Sequence, residues 1–463
     1  MKELRHNMRL IGALVVVAFV GLSAWFALTV FEQGGIWAST SYNTRLNASG
    51  AFRGDILDRN GTTLAATVDG QRVYADSAAA RRALAATVGD TRGMSGTGVE
   101  SAYSAQLLDL SDSLLERLSA LFNGEKRRGN TVQLTIDARL TEAISAAFPS
   151  GYRGAVCVMN YQTNEILAMV SKPDYDPYDV GGEDVEDTAY LNRCLQGLYT
   201  PGSVFKMVTM AAALENDPNV LSQTFLCNGT WEYEGGRIVC AGKTAHGEIN
   251  LTTALEKSCN VTFGKLAYQL GLNRLRETAE KMGFNENMKL GDFAIYNSKF
   301  PTDSSNMSDL VWAGIGQSTV LVTPMHMCMI TASIANGGML PRPKLIRRIT
   351  SATGAVVRDG SGLSGRPVMS AETAAAIEDA MRQAVQSGTA RRAQISGCTV
   401  CGKTGSAETS DDKSVETNSW FCGYIDDDAH PYVVSVVVEQ GGAGSRLATE
   451  LGAQALKAAI ALN

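Results

Sequence analysis

Thr200-Pro201-Gly202-Ser203-Val204-Phe205-Lys206 runs directly into Met207-Val208-Thr209-Met210-Ala211-Ala212-Ala213-Leu214, and the reading of this junction decides the fold. Pro-Gly marks a sharp turn, and the apolar stretch after it reads as a helix. Ser203 then opens the first helical turn, with Lys206 one turn further along the same face. That spacing suits a serine nucleophile beside an amine able to take its proton, provided the amine is neutral. The free backbone N–H groups of such a helix start also favour negative charge developing at the serine. A second S-x-x-K, Ser410 to Lys413, lies in a polar run with no apolar helix behind it and reads as a solvated loop.

Outward from this junction, strand and helix patterns frame one large domain. Gly154-Ala155-Val156-Cys157-Val158-Met159 and Glu165-Ile166-Leu167-Ala168-Met169-Val170 are two apolar runs joined by a short turn, the pattern of a hairpin inside a covered sheet. Helical patterns dominate from 203 to 345. Strand patterns return at 399–407, 420–425 and 432–438, before a closing helix from about 449 to 462. Strands at both ends with helices between them predict an α+β architecture, an antiparallel sheet assembled from distant pieces.

Upstream, Arg53-Gly54-Asp55-Ile56-Leu57-Asp58-Arg59-Asn60-Gly61 carries an Asn-Gly hairpin signal. Residues 76–100 are rich in Ala, Gly, Ser and Thr and promise little core. Leu114, Leu115, Leu118 and Leu121 give Ser111 to Leu121 an amphipathic helical pattern, and 124–130 reads as a charged linker. Thr131 to Ile136 alternates as a strand, and Asp137 caps a helix through Leu140, Ile144 and Phe148. We expect a small, irregular α/β pedestal over 38–148 that serves as scaffold or partner surface, and the large domain over 149–463.

Composition sets bounds. The 463 residues give room for roughly two or three domains, and 45% hydrophobic with 19% charged content is ordinary for a globular chain. A net charge of −6 offers no footprint for nucleic acid. The four histidines, His6, His246, His326 and His430, form no H-x-x-x-H pair, so a histidine-based mechanism is not expected. Leu10 to Phe31 holds no charged residue and is long enough to span a bilayer, for which roughly 20 apolar residues suffice. Lys2, Arg5 and Arg9 precede it. The expectation is a cytoplasmic tail over 1–9, an uncleaved anchor over 10–31, and an extracytoplasmic remainder. A cleaved signal peptide is disfavoured by the length of the run and the lack of an A-x-A site.

Nine cysteines are present. Cys227 and Cys240 flank a turn-rich segment and make a plausible disulfide, with at least one thiol left over. Cys398 and Cys401 lie on a predicted strand, point to opposite faces and do not bond to each other. The set has no recognisable zinc spacing, and no metal is expected.

Two further motifs follow Ser203. Ser258-Cys259-Asn260 sits between helix-like stretches, with a hydroxyl placed to relay a proton and an amide placed to hold a substrate carbonyl or amide. On its own it reads as a helix cap. The S-x-N matches at Ser41 and Ser304 lack that context. Lys403-Thr404-Gly405-Ser406 occurs once, on a predicted strand: Lys403 supplies charge for a carboxylate, and Thr404 a hydroxyl. Gly402 and Gly405 keep the edge clear for an extended peptide.

S-x-x-K, S-x-N and K-T-G in this order resemble the penicillin-binding proteins and class A β-lactamases. The chain resembles a class B penicillin-binding protein, a membrane-anchored peptidoglycan transpeptidase, over nearly its whole length. The hairpin at Arg53, Thr135-Ile136-Asp137, Asn192-Arg193 and Gly314 to Pro324 add to the likeness, and the short amino-terminal unit is similar to PBPA-type members. The resemblance implies a penicillin-binding, serine β-lactamase-like transpeptidase fold. It implies that Ser203 attacks the penultimate D-Ala carbonyl of a stem peptide, Lys206 is the base, and Ser258 relays the proton to the leaving amine. Asn260, Lys403, Thr404, Gly405 and Ser406 bind substrate, with the Ser203 and Ser406 backbone N–H groups as oxyanion hole. β-Lactams acylate Ser203, no metal or organic cofactor takes part, and a SEDS-type glycosyltransferase is the expected membrane partner. Cys259 reads as a buried apolar filler whose oxidation slows acylation. The rival readings are a D,D-carboxypeptidase, a serine β-lactamase, and a β-lactam-binding scaffold. No E-x-x-L-N segment lies between Asn260 and Lys403 to supply a deacylating carboxylate.

Overall fold

The alternation and apolar density around residues 154–172 and 400–438 do produce a covered sheet. The computed structural model of the chain describes residues 2–38, 53–108, 128–290, 293–303, 306–360, 362, 364–410, 412 and 414–462. Its central sheet has strands β1 (Gly154–Asn160), β2 (Ile166–Lys172), β3 (Val400–Ala407), β4 (Asn418–Ile425) and β5 (Tyr432–Val438) in the order β3-β4-β5-β1-β2. Every neighbouring pair is antiparallel. Side chains of a strand alternate between faces, so the sheet buries two layers. Val156, Val158, Val434 and Val436 meet Leu140 and Ile144 of the helix Ala138–Ala147 and Leu451 and Leu456 of the helix Arg446–Ile460. Ala155, Cys157, Met159, Val433 and Val437 share the other core with the helices Lys206–Asn216 and Pro324–Ala335. This is the α+β arrangement expected.

A second sheet has six strands, in the order Val356–Asp359, Ile346–Thr350, Thr131–Leu134, Ile56–Leu57, Thr63–Val68 and Gln71–Tyr74. Its tight hairpin is the Asn-Gly turn: Asp58 Oδ1 accepts from the Asn60 and Thr62 amides, each at 2.8 Å, and Gly61 takes φ +87°. Asn60 Nδ2 donates to Asp137 Oδ2 at 2.8 Å, and Thr135 Oγ1 donates to Ile166 O at 2.7 Å and Lys344 O at 2.8 Å. The units expected over 38–148 and 149–463 therefore share a sheet, and the helix Ala138–Ala147 packs on the central one. Sequence periodicity carries no information about a strand partner two hundred residues away.

One expectation needs correction. The Ala-rich stretch within 76–100 is not poor in core: Ser77 caps a helix, Ala78–Val88, that buries Ala80, Ala83, Leu84 and Val88. Small side chains let its backbone approach its neighbours closely, which a count of large apolar residues does not register. The expected helix over Ser111 to Leu121 and most of the linker after it lie outside the described residues, as do Ser41, Asn43, Ser304, Asp411 and Lys413. At the amino terminus, Lys2–Ala38 is one helix, and His6–Phe26 within it is long and apolar enough to cross a membrane and is unburied.

Candidate active site

The Ser203 turn is pinned from three directions. Thr200 O accepts from Trp420 Nε1 at 3.0 Å, and Tyr199 and Val322 exchange backbone hydrogen bonds at 3.0 and 2.9 Å. Gly202 N donates to Gly316 O at 2.8 Å. Gly202 takes φ +57°, where only glycine is unstrained, and a Cβ there would stand 2.4 Å from Ser406 O. The chain then makes one 3₁₀ turn, Gly202–Phe205, before the α-helix Lys206–Asn216 begins. Ser203 thus opens a tighter turn than expected, and it remains half-buried at the mouth while Lys206 is fully buried.

Below the serine, two lysines meet at one hydroxyl. Lys206 Nζ hydrogen-bonds to Asn260 Oδ1 at 2.7 Å, Ser258 O at 2.8 Å and Ser258 Oγ at 3.1 Å. Lys403 Nζ reaches the same Ser258 Oγ at 3.0 Å and Thr404 O at 2.8 Å. Among the described residues neither amine is paired with a carboxylate. Burial pushes the Lys206 amine down to about 8. Burial, and then the neighbouring Lys206, hold Lys403 well below the usual lysine range. Two ammonium groups on one hydroxyl repel each other, so the pair favours giving up a proton. A neutral Lys206 has two N–H donors, which Asn260 Oδ1 and Ser258 O satisfy, and one lone pair left to accept a proton. Ser258 sits at φ +55°, a left-handed conformation costly for serine, which holds its hydroxyl between the lysines.

Strand β3 forms the wall beside the serine and is the edge of the central sheet. Lys403 is fully buried beneath it, so its charge acts from under the site through Ser258 and the Thr404 carbonyl. Thr404 Oγ1 donates to Thr389 Oγ1 at 3.0 Å, and the Ser406 and Ser445 hydroxyls lie 3.1 Å apart. The two glycines play a different part from the one expected. A Cβ on Gly405 would meet Pro201 O at 2.9 Å, and one on Gly402 the Phe421 ring at 2.7 Å. They admit protein, the nucleophile turn and the strand behind, rather than leaving open space. Thr389 and Ser445 were not anticipated. Thr389 carries no motif, and Ser445 shows only as the end of the Gly-rich run Gly441 to Gly444.

The cysteines also depart from expectation. All nine are free, and the Cys227 and Cys240 sulfurs stand 3.7 Å apart, unbonded. Cys259 is more than an apolar filler: its Sγ caps the helix Asn260–Lys281, accepting from Thr262 N at 3.4 Å and Thr262 Oγ1 at 3.3 Å.

A nucleophile turn, a buried amine pair and a sheet edge arranged in this way have counterparts. Residues 154–457 match the penicillin binding protein transpeptidase domain. The chain belongs to the penicillin-binding protein transpeptidase family. Among curated relatives, the peptidoglycan D,D-transpeptidase PbpA of Mycolicibacterium smegmatis is 29% identical over 400 residues, 80% of each chain. Among solved structures, penicillin-binding protein A from M. tuberculosis, as a ceftriaxone acyl-enzyme complex, superposes with a TM-score of 0.81 at 28% identity, covering 90% of this chain and all of that one. The D,D-transpeptidase domain of a peptidoglycan glycosyltransferase from Eggerthella lenta gives a TM-score of 0.77 at 28% identity, over 89% of this chain and 99% of that one.

Other stretches that suggested a penicillin-binding protein have structural duties. Asn192 caps the short helix after it and donates from Nδ2 to Ala86 O at 3.0 Å. Arg193 Nε donates to Glu439 Oε1 at 2.9 Å, which also accepts from Tyr199 Oη at 2.8 Å. Gly314 to Gln317 underlies the Ser203 turn, and Thr323-Pro324 starts the buried helix that carries His326.

Proposed function

We propose that this chain is a peptidoglycan D,D-transpeptidase working through an acyl-enzyme on Ser203. The observation that carries the assignment of roles is the hydrogen-bond chain Lys206–Ser258–Lys403 beside the serine turn, in which, among the described residues, neither amine is paired with a carboxylate. In this reading Ser203 Oγ attacks the carbonyl of the penultimate D-Ala of a stem peptide, and its proton passes to the neutral Lys206 Nζ. The Ser203 and Ser406 N–H groups hold the oxyanion, each worth about 3 kcal/mol. The proton moves through Ser258 Oγ to the departing amine, the C–N bond breaks, and terminal D-Ala leaves. The amine of a second stem peptide then attacks the ester, forms the cross-link amide and returns the proton to Ser203. Asn260 orients the donor amide, and Thr404 with Thr389 reads the donor carboxylate. β-Lactams enter the same path and stop at the ester, because among the described residues neither buried lysine is paired with a carboxylate that could activate water against it.

The anchor reading places residues 1–9 in the cytoplasm and the catalytic domain outside, on the strength of Lys2, Arg5 and Arg9 ahead of the apolar helix. The segment from 38 to about 130 is proposed as the contact for a SEDS-type glycosyltransferase.

Intact-protein mass spectrometry of the detergent-solubilised chain with penicillin G tests the central claim. One stable adduct, lost in Ser203→Ala, supports the transpeptidase. Rapid drug hydrolysis without an adduct points to a β-lactamase, and neither adduct nor hydrolysis to a scaffold. D-Ala release from a stem peptide without cross-linking in the presence of an acceptor amine marks a carboxypeptidase.

A further inference from the structure

Three sulfurs and one imidazole nitrogen converge directly behind the Ser258–Asn260 turn. Cys227 ends the strand Phe225–Cys227, and Cys240 follows the strand Gly236–Val239. His246 precedes the strand Gly247–Ile249, and Cys259 heads the helix Asn260–Lys281. The four donor atoms all lie within 4.8 Å of one another. Cys227 Sγ is 3.7 Å from Cys240 Sγ and 3.3 Å from His246 Nδ1. Cys240 Sγ is 3.8 Å from that nitrogen and 3.7 Å from Cys259 Sγ.

These separations fit one arrangement well. Tetrahedral Zn²⁺ with Zn–S bonds of about 2.3 Å sets its sulfurs about 3.8 Å apart. A disulfide demands about 2.05 Å, and non-bonded thiols have no reason to gather four donors around one point. Oxygen ligands, which calcium and magnesium require, are absent from the set. Soft thiolates with one imidazole select zinc among the common ions.

The backbone holds the four arms together. His246 N donates to Cys227 O at 3.0 Å, and Cys240 N to Gly229 O at 2.9 Å. Gly229 sits at φ +86°, where a Cβ would meet Lys243 O at 2.3 Å, so the loop closes only with glycine there. Cys259 Sγ already accepts from Thr262 N and Oγ1, the kind of outer support a metal-bound thiolate takes.

We propose that Cys227, Cys240, His246 and Cys259 form a structural zinc site that clamps the Ser258–Asn260 turn. Binding releases the three thiol protons to solvent and joins Zn²⁺ to three thiolates and a neutral imidazole through Nδ1, with no change in oxidation state. The clamp matters because Cys259 lies between the residue that bridges the two lysines and the residue that anchors Lys206. Asn260 Nδ2 also donates to Val239 O at 2.8 Å, one residue before Cys240. The metal touches no substrate. It fixes the position of groups that do.

The test is metal analysis of the full chain purified without chelator, by elemental mass spectrometry and native intact mass. One zinc per chain is expected, retained in Cys398→Ser and lost in both Cys227→Ser and His246→Ala. Cobalt(II) exchanged into the protein gives the visible bands of a tetrahedral thiolate site. Stripping zinc with a chelator lowers the melting temperature and slows penicillin acylation by about tenfold to a hundredfold, both reversed by added zinc. A metal-free chain that takes up neither ion, or a Cys227–Cys240 disulfide in freshly purified protein, overturns the site. Bound zinc whose removal leaves acylation unchanged overturns the clamp.

Discussion

Gly202 and Gly316 lie back to back: Gly202 N donates to Gly316 O at 2.8 Å, and a Cβ on Gly316 would stand 2.1 Å from Gly202 O. Gly316 also takes φ +76°. Its substitution therefore pushes against the residue next to the nucleophile. Gly316→Ala is expected to slow penicillin acylation on the order of 10²-fold, the cost of an ångström-scale misplacement. Stopped-flow acylation measures it, and an unchanged rate would show that the turn absorbs the methyl group.

The pH dependence of acylation follows from Lys206. Its amine is pushed down to about 8 by burial, and only the neutral form accepts the serine proton. The acylation rate is expected to rise as pH climbs through about 8 and to level off above it. Lys206→Met removes that step and slows acylation by about 10²–10⁴-fold. A flat profile in the wild type would assign the base elsewhere.

His326 predicts a different pH effect, on stability. Fully buried, it bonds to Ser298 Oγ at 2.7 Å and Met282 O at 2.9 Å, with Glu286 and Arg366 as the nearest charges, and burial holds it at about 4. The unfolded chain protonates this histidine near 6.5, while the folded chain stays neutral until about 4. Between those values the unfolded state binds the extra proton, so stability falls as pH drops from 6.5 towards 4, by about 3 kcal/mol in all. Denaturant melts of wild type and His326→Gln at several pH values check it. The variant is expected to lose that share of the slope.

Glu100 is buried between two arginines, with Arg53 Nη1 at 2.9 Å and Arg72 Nε at 2.6 Å. Glu100→Gln removes the buried carboxylate that Arg53 and Arg72 share, at a cost of about 3 kcal/mol. The thermal midpoint is expected to drop while the fraction still folded acylates at the wild-type rate. Loss of acylation in folded protein would mean that the amino-terminal sheet shapes the active site.

Much of this site was legible because it is local. Ser203 and Lys206 lie one helical turn apart, and Asp58 with Asn60-Gly61 specifies its own hairpin. Ser258 and Lys403 could be joined to them only through the order of three motifs. Their meeting at one hydroxyl depends on β3 packing against two separate helices. Gly405 and Gly316 were opaque for the same reason: what a missing Cβ makes room for is decided by a neighbour far along the chain. The thiol cluster escaped notice because four segments contribute one ligand each, without the short spacing that betrays a metal loop. The Ala78–Val88 helix was undervalued because its burial comes from closeness rather than from large side chains.

Thr135 donates its backbone N–H to Leu345 O, 210 residues ahead in the chain. The hairpin at Asn60-Gly61 therefore emerges from the ribosome early but must wait for Ile346–Thr350 before its sheet is complete. Until then Thr131–Leu134 presents an unpaired flank, the kind of surface that invites wrong partners. Closure over so long a loop is slow, and it makes the last-made half of the chain the template on which the first-made half sets. A truncation before residue 346 would thus cost more than the missing piece. It would leave the amino-terminal strands with nothing to finish against.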